Sequence, residues 1–132
     1  MAVILVVKNS TIKYYEQGTT VRMIEGDNQL LPIDVFGANG LPINLTGSEA
    51  YFHLMEFSTR NHIWTMTCIP EYPLENPYEV DYPYIVPIRL SSSETMNLAG
   101  NYIGQLEIIN DRNENSCMPF QVNIIISKRA SD

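Results

Sequence analysis

Eight short apolar runs, each closed by turn-forming residues, leave this chain little room for anything but β structure. They are Ala2 to Lys8, Thr20 to Glu25, Leu30 to Phe36, Ser48 to Phe57, Ile63 to Ile69, Tyr84 to Leu90, Asn101 to Ile109 and Cys117 to Ser127. Strands this short and this regularly interrupted build a sandwich or a barrel. The clearest stretch lies between Met23 and Gly47. There Leu31, Ile33 and Val35 alternate with Pro32, Asp34 and Phe36, the period-two pattern of a strand with one buried face. Gly26-Asp27-Asn28 opens the stretch, and Asn39-Gly40 supplies the positive-φ residues of a tight turn after it.

The same alternation assigns faces elsewhere. Phe120, Val122, Ile124 and Ile126 share one side of the last run, and Tyr102, Leu106 and Ile108 share one side of the run before it. These two runs form a hairpin in the core, with Phe120, Val122, Ile124, Leu106 and Ile108 at its centre. Polar clusters at Ser58 to His62 and Asn110 to Asn115 close two hairpins. Ser91-Ser92-Ser93-Glu94 offers an N-cap and an acid for one helical turn over Ser93 to Leu98, ended by Gly100. The run from Ser48 to Phe57 is apolar on both sides, with Phe52 and Leu54 on one and Tyr51, His53, Met55 and Phe57 on the other. A strand of that kind needs cover on both faces, from its own chain or from another copy.

At 132 residues the sequence fits a single domain over 1–132 with one core. A net charge of −7 with a pI near 4.7 argues against nucleic acid, whose phosphates are bound by clustered Lys and Arg. No apolar run is long enough to span a membrane. Met1 to Val7 lacks the basic leader and small-residue cleavage site of a signal peptide, and reads as the first strand of a protein made in the cytoplasm. Cys68 and Cys117 have no metal-ligand spacing and read as reduced, buried thiols. No nucleophile elbow, phosphate-binding Gly loop or zinc motif is present, so neither catalysis nor a cofactor is expected. Of the two histidines, His53 reads as packed in a strand and His62 as solvated in a turn. Asp27, Asp34, Glu79 and Asp81 lack calcium-loop spacing, and Asp27 reads as a turn residue satisfying its own backbone.

The one compositional anomaly is Pro70 to Tyr84, which holds Tyr72, Tyr78, Tyr82 and Tyr84, four prolines, four acids and no base. Proline excludes helix and central strand, so the segment is a long extended connection. Two readings fit it: a contact surface, since Tyr offers large amphipathic area and Pro pre-orders the loop, or a crossover whose rings cover the core.

Taken in order, Gly26-Asp27, Gly37 to Gly40, Leu45-Thr46-Gly47, Tyr51-Phe52, Gly100-Asn101-Tyr102 and Phe120 to Ile126 resemble the amino-terminal domain of upper baseplate proteins from tailed phages of Gram-positive bacteria. The resemblance covers about Val21 to Ser127, and the Pro70 to Tyr84 segment is longer than its hairpin region. It implies an immunoglobulin-like antiparallel β-sandwich of about eight strands. It also implies a virion structural protein at the tail tip that anchors host-recognition components and has no catalytic role; the apolar Tyr51, Met55 and Phe57 face and the Tyr-Pro segment call for self-association, as a trimer or dimer if the resemblance holds. Tyr51, Met55, Phe57, Tyr72, Tyr78, Tyr82 and Tyr84 are the candidate partner-contact residues. The competing reading is a carbohydrate-binding sandwich for host-surface glycan, with Tyr72, Tyr78, Tyr82, Tyr84 or Trp64 stacking on sugars and Glu79 and Asp81 accepting hydroxyl hydrogens.

Overall fold

The structure, a computed structural model, describes residues 3–7, 20–37, 41–109 and 115–130, with side chains described over 20–35, 41–109 and 122–130. Eight strands appear among them: β1 (Val3–Val7), β2 (Thr20–Ile24), β3 (Gln29–Gly37), β4 (Glu49–Glu56), β5 (His62–Cys68), β6 (Ile85–Leu90), β7 (Gly100–Ile109) and β8 (Asn115–Ser127). Every run expected from the sequence forms one of these strands.

The strands make two sheets, ordered β1-β3-β6 and β2-β8-β7-β4-β5. The chain changes sheet after β1, β2, β3, β5 and β6, which gives the sandwich its immunoglobulin-like course. β1 pairs antiparallel with β3 of its own chain. One pair departs from the expected antiparallel arrangement, because β2 lies parallel to β8. β2 is entered after a change of sheet rather than through a hairpin, so nothing forces its direction to oppose that of its neighbour.

Burial follows the alternation. Leu31, Ile33 and Val35 of β3, Ala50, Phe52 and Leu54 of β4, Val86, Ile88 and Leu90 of β6, Tyr102, Leu106 and Ile108 of β7, and Val122, Ile124 and Ile126 of β8 fill the space between the sheets. Four of the five expected core residues are therefore buried. The side chain of Phe120 lies outside the described residues, as do the Asn39-Gly40 turn and the loop from Asn110 to Glu114. Asp34, assigned by alternation to the far side of β3, is also buried.

Gly104 pairs with Leu54 and with Val122, and a Cβ there would stand 2.3 Å from Phe52 Cζ. The Phe52 ring thus occupies the volume that a side chain on β7 would need. Between β6 and β7, α1 (Ser92–Thr95) is a single turn, with the Ser91 N–H donating to the Glu94 carboxylate at 3.0 Å. It ends earlier than Leu98, with Asn97 behind it at φ 63° and Gly100 at φ 152° opening the next strand.

The turn between β2 and β3 is clasped from two sides. Gly26, at φ 81°, donates its N–H to Thr95 Oγ1 at 2.8 Å. Asp27 pairs with Arg129, whose N–H also reaches the Glu25 carboxylate at 3.1 Å. Asp27 therefore ties the turn to the segment after β8, rather than serving its own backbone as the sequence suggested.

Candidate contact surface

The segment between β5 and β6 leaves one sheet and enters the other, and it is fastened along its length. Glu71 and Ile85 exchange backbone hydrogen bonds at 2.8 and 3.2 Å, and the Glu71 carboxylate takes both terminal nitrogens of Arg89 at 3.2 and 3.1 Å. That contact raises the Arg89 pKa further and keeps it charged. Asn76 closes the middle, donating to the Val80 carbonyl at 2.7 Å and accepting from the Val80 N–H at 3.2 Å, with Glu79 at φ 53° inside the loop so formed. Tyr82 donates its hydroxyl to the Pro42 carbonyl at 2.8 Å, and the Pro83 and Tyr84 carbonyls accept from Leu45 and Val35.

These fastenings divide the expected tyrosines. Tyr84 is 1% exposed and inside the sandwich, on the same side of the chain as Val86, Ile88 and Leu90. It is withdrawn from the contact set, since the alternation of β6 continues back through it and aims it inward. Tyr82 is half-buried and tied to Pro42. Tyr72 and Tyr78 remain 60% and 43% exposed, Tyr78 meeting Tyr84 edge to face at 6.2 Å, and Leu74 between them is fully exposed. Glu75, Glu79 and Asp81 are exposed around them. The segment is both of the things its composition suggested: an inward-facing cover at its end and an outward aromatic, acidic ridge in its middle.

A second region lies on the outer face of the five-stranded sheet. Tyr51, His53 and Met55 point there, as the alternation of β4 requires, but they do not form an apolar face. Tyr51 donates to Glu49 at 2.6 Å, and that bond, with the charges of Glu49 and Glu107, raises its phenol pKa. His53 is not packed in the core: its Nδ1 lies 2.7 Å from Thr65 Oγ1 and its Nε2 3.2 Å from Glu107 Oε1. His62 Nε2 lies 2.6 Å from the same Thr65 oxygen. Phe57 falls beyond the end of β4, where Arg60 stands over its ring at 5.5 Å.

Thr65, His53 and Glu107 are connected as a hydroxyl, an imidazole and an orienting carboxylate. They lie across three neighbouring strands on an exposed sheet face. Two hollows among the described residues lie elsewhere: one of about 400 Å³ among Glu56, Phe57, Gly100 and Asn101, and one of about 370 Å³ among Gln29, Leu30, Arg89 and Ser91. Among the described residues, no three His, Cys, Asp or Glu side chains converge as metal ligands. Asp34 is buried in β3 while Asp27 is engaged with Arg129, so the four acids weighed for calcium do not assemble.

Trp64, a candidate sugar platform, is half-buried against Phe52 and donates its indole N–H to the Glu94 carbonyl at 3.0 Å. Its ring packs against the core from the sheet edge and its N–H is already engaged. The His53, Thr65, His62 and Glu107 cluster, the Arg129 clasp and the role of Gly104 were all missed in the sequence. Only Gly104 carried a signal, as a lone glycine inside a strand pattern, which marks a close approach.

Cys68 is free and buried, and desolvation pushes its thiol up to about 11, from an ordinary value of 9.0. The protonated thiol belongs to the folded state, so its contribution to stability is complete below pH 9.0 and is lost as pH rises toward about 11. In a Cys117→Ser variant, Cys68 is expected to resist a thiol reagent at pH 8 until denaturant is added. Rapid stoichiometric labelling of the folded protein would contradict its placement.

No protein-family model matches the chain, and no curated protein does. In shape it is similar to CopC from Methylosinus trichosporium OB3b, with 8% identity and a TM-score of 0.48 over 89% of this chain and 90% of that one. It is also similar to part of a metagenome-derived glycoside hydrolase family 9 endoglucanase, with 11% identity and a TM-score of 0.49 over 95% of this chain and 18% of that one. Overlaps at this level carry neither activity nor ligand from those proteins to this chain.

Proposed function

We propose that this protein is a non-enzymatic structural module that joins other proteins through the exposed ridge of the β5–β6 crossover. The observation that carries the reading is the combination of fastening and exposure there. A segment tied by Glu71, Asn76 and Tyr82 holds Tyr72, Leu74 and Tyr78 out into water among carboxylates. Large apolar groups on a pre-ordered loop lose little conformational entropy on binding, and a partner that covers them regains their hydrophobic energy.

The order of turn and strand motifs from Gly26 to Ile126 supports placing the module in a phage tail or baseplate. There it would be made in the bacterial cytoplasm, assembled with copies of itself and other virion proteins, and used to anchor host-recognition components. Immunogold labelling of tailed particles from the strain that carries the coding sequence is the test. Label at the tail tip is expected, and particles devoid of the protein would overturn the placement.

Glycan binding is the second reading, favoured only by the exposed Tyr72 and Tyr78 rings beside Glu75 and Glu79. Retention of a defined cell-wall polysaccharide, lost in a Tyr72→Ser, Tyr78→Ser variant, would favour it over protein contacts.

A further inference from the structure

Alternation breaks at the start of β5, the last strand of the larger sheet. Thr65 pairs with His53 and shares its outward side, so strict alternation would turn Ile63 outward and His62 toward the core. The irregularity after Leu54 reverses this. Leu54 pairs with Trp64 but Met55 pairs with His62, so Ile63 is taken up as an extra residue on β5. Ile63 packs against the core beside Trp64, and exposed His62 is carried to the outer side with Met55. A bulge at a sheet edge re-aims a side chain in this way, and bulges gather beside functional sites.

The re-aimed imidazole meets another. His53 Nδ1 lies 2.7 Å and His62 Nε2 2.6 Å from the same Thr65 Oγ1, with the ring centroids 6.3 Å apart. A hydroxyl has one proton, so Thr65 cannot donate to both nitrogens. Glu107 sets the order: its Oε1 is 3.2 Å from His53 Nε2, which holds the proton of the neutral ring there and turns the Nδ1 lone pair toward Thr65. Thr65 then donates to His53 and accepts from His62. Moving one proton on exposed His62, from Nε2 to Nδ1, leaves two imidazole lone pairs aimed at one place on an open sheet face. An imidazole held from behind by a carboxylate is also how metal-ligating histidines are oriented.

We propose that His53 Nδ1 and His62 Nε2 together bind one divalent late first-row transition metal ion, Cu²⁺, Ni²⁺ or Zn²⁺, with Glu107 as a positioning residue. The donor atoms select this class. Imidazole suits these ions, whereas Ca²⁺ and Mg²⁺ require oxygen ligands. An ion about 2.0–2.1 Å from each nitrogen fits between rings that already share one oxygen at hydrogen-bond distance, after a small rotation of His62. Water and the Thr65 hydroxyl fill the remaining positions. Glu107 meets the far nitrogen of His53 and so orients rather than ligates, in keeping with the absence of three converging ligand side chains among the described residues. Two protein ligands make an exchangeable site, unlike the four-ligand centres on which small folds depend. The site goes beyond the adaptor reading and rests on no part of it.

The full chain, free of any polyhistidine tag, is titrated with Ni²⁺ by calorimetry. One ion per chain is expected. His62→Gln, at an exposed position that leaves the fold intact by circular dichroism, should weaken binding by roughly tenfold or more, and His53→Gln should do the same. Glu107→Gln keeps both ligands but removes the carboxylate behind His53, and should cost roughly 10–100-fold in affinity. Tyr72→Ser on the crossover should change nothing. No binding at about millimolar Ni²⁺ overturns the proposal, as does binding of full affinity in both histidine variants, which would put the ion elsewhere. Full affinity in Glu107→Gln overturns the role given to that carboxylate.

Discussion

Replacing Phe52 by Ala is expected to remove about 3–5 kcal/mol of folding stability, the cost of deleting an aromatic ring from a core that cannot collapse around the void. Phe52 sits on the central side of β4, between β5 and β7, and is fully buried. Its ring meets Trp64 on one side and lies over Gly104 on the other. β4 is hydrogen-bonded on both edges, so neither neighbouring strand can move in without breaking a ladder. The loss should appear in denaturant titration as a lower midpoint with an unchanged slope. A loss under about 1 kcal/mol would mean that the ring packs against little of the core.

The second large effect concerns the space that the ring takes up. Gly104→Ala inserts a Cβ at 2.3 Å from Phe52 Cζ and 3.0 Å from Ile124 Cδ1, a collision that must move a ring packed on all sides. Overpacking of this kind costs about 1–3 kcal/mol and sometimes more. A slimmer partner should relieve it, so the cost of Gly104→Ala is expected to shrink in a Phe52→Leu background. Coupling between contacting residues reaches about 0.5–3 kcal/mol, well above the scatter for independent sites. Additive losses in that cycle would show that the two residues do not compete for one volume.

Strand identity was legible because it depends on local alternation. Leu31, Ile33 and Val35, or Val122, Ile124 and Ile126, announce their faces without reference to the rest of the chain. The hairpins were legible for the same reason, since a polar cluster such as Ser58 to His62 joins two patterned runs. What lies across strands was not. The outer side of β4 read as apolar from Tyr51, Met55 and Phe57, yet register sets Thr67 and Glu107 beside Tyr51, and Thr65 and Gln105 beside His53. The irregularity after Leu54 shifts that register, bringing Met55 opposite His62. No property of one strand encodes its neighbours' alignment. The crossover was half legible for a related reason: its composition fixed an extended, ordered path, while inward Tyr84 and outward Tyr72 differ only in what the path packs against.

The parallel pairing of β2 with β8 has a mechanical consequence. Thr20 to Ile24 lies alongside Asn123 to Ser127 in the same direction. Tension applied between the segment ahead of β2 and the segment after β8 therefore pulls the two strands lengthwise past each other. All the hydrogen bonds of the pair are strained together in that geometry, whereas an antiparallel terminal pair loaded from adjacent ends would open one bond at a time. The Asp27 to Arg129 contact lies at the same end of the pair and adds to the load it can bear. Resistance to force is governed by the unfolding rate rather than by equilibrium stability. β1 precedes β2 and pairs in the other sheet, so this resistance is met by force that enters between β1 and β2, and there the fold would hold by geometry even where its folding free energy is ordinary.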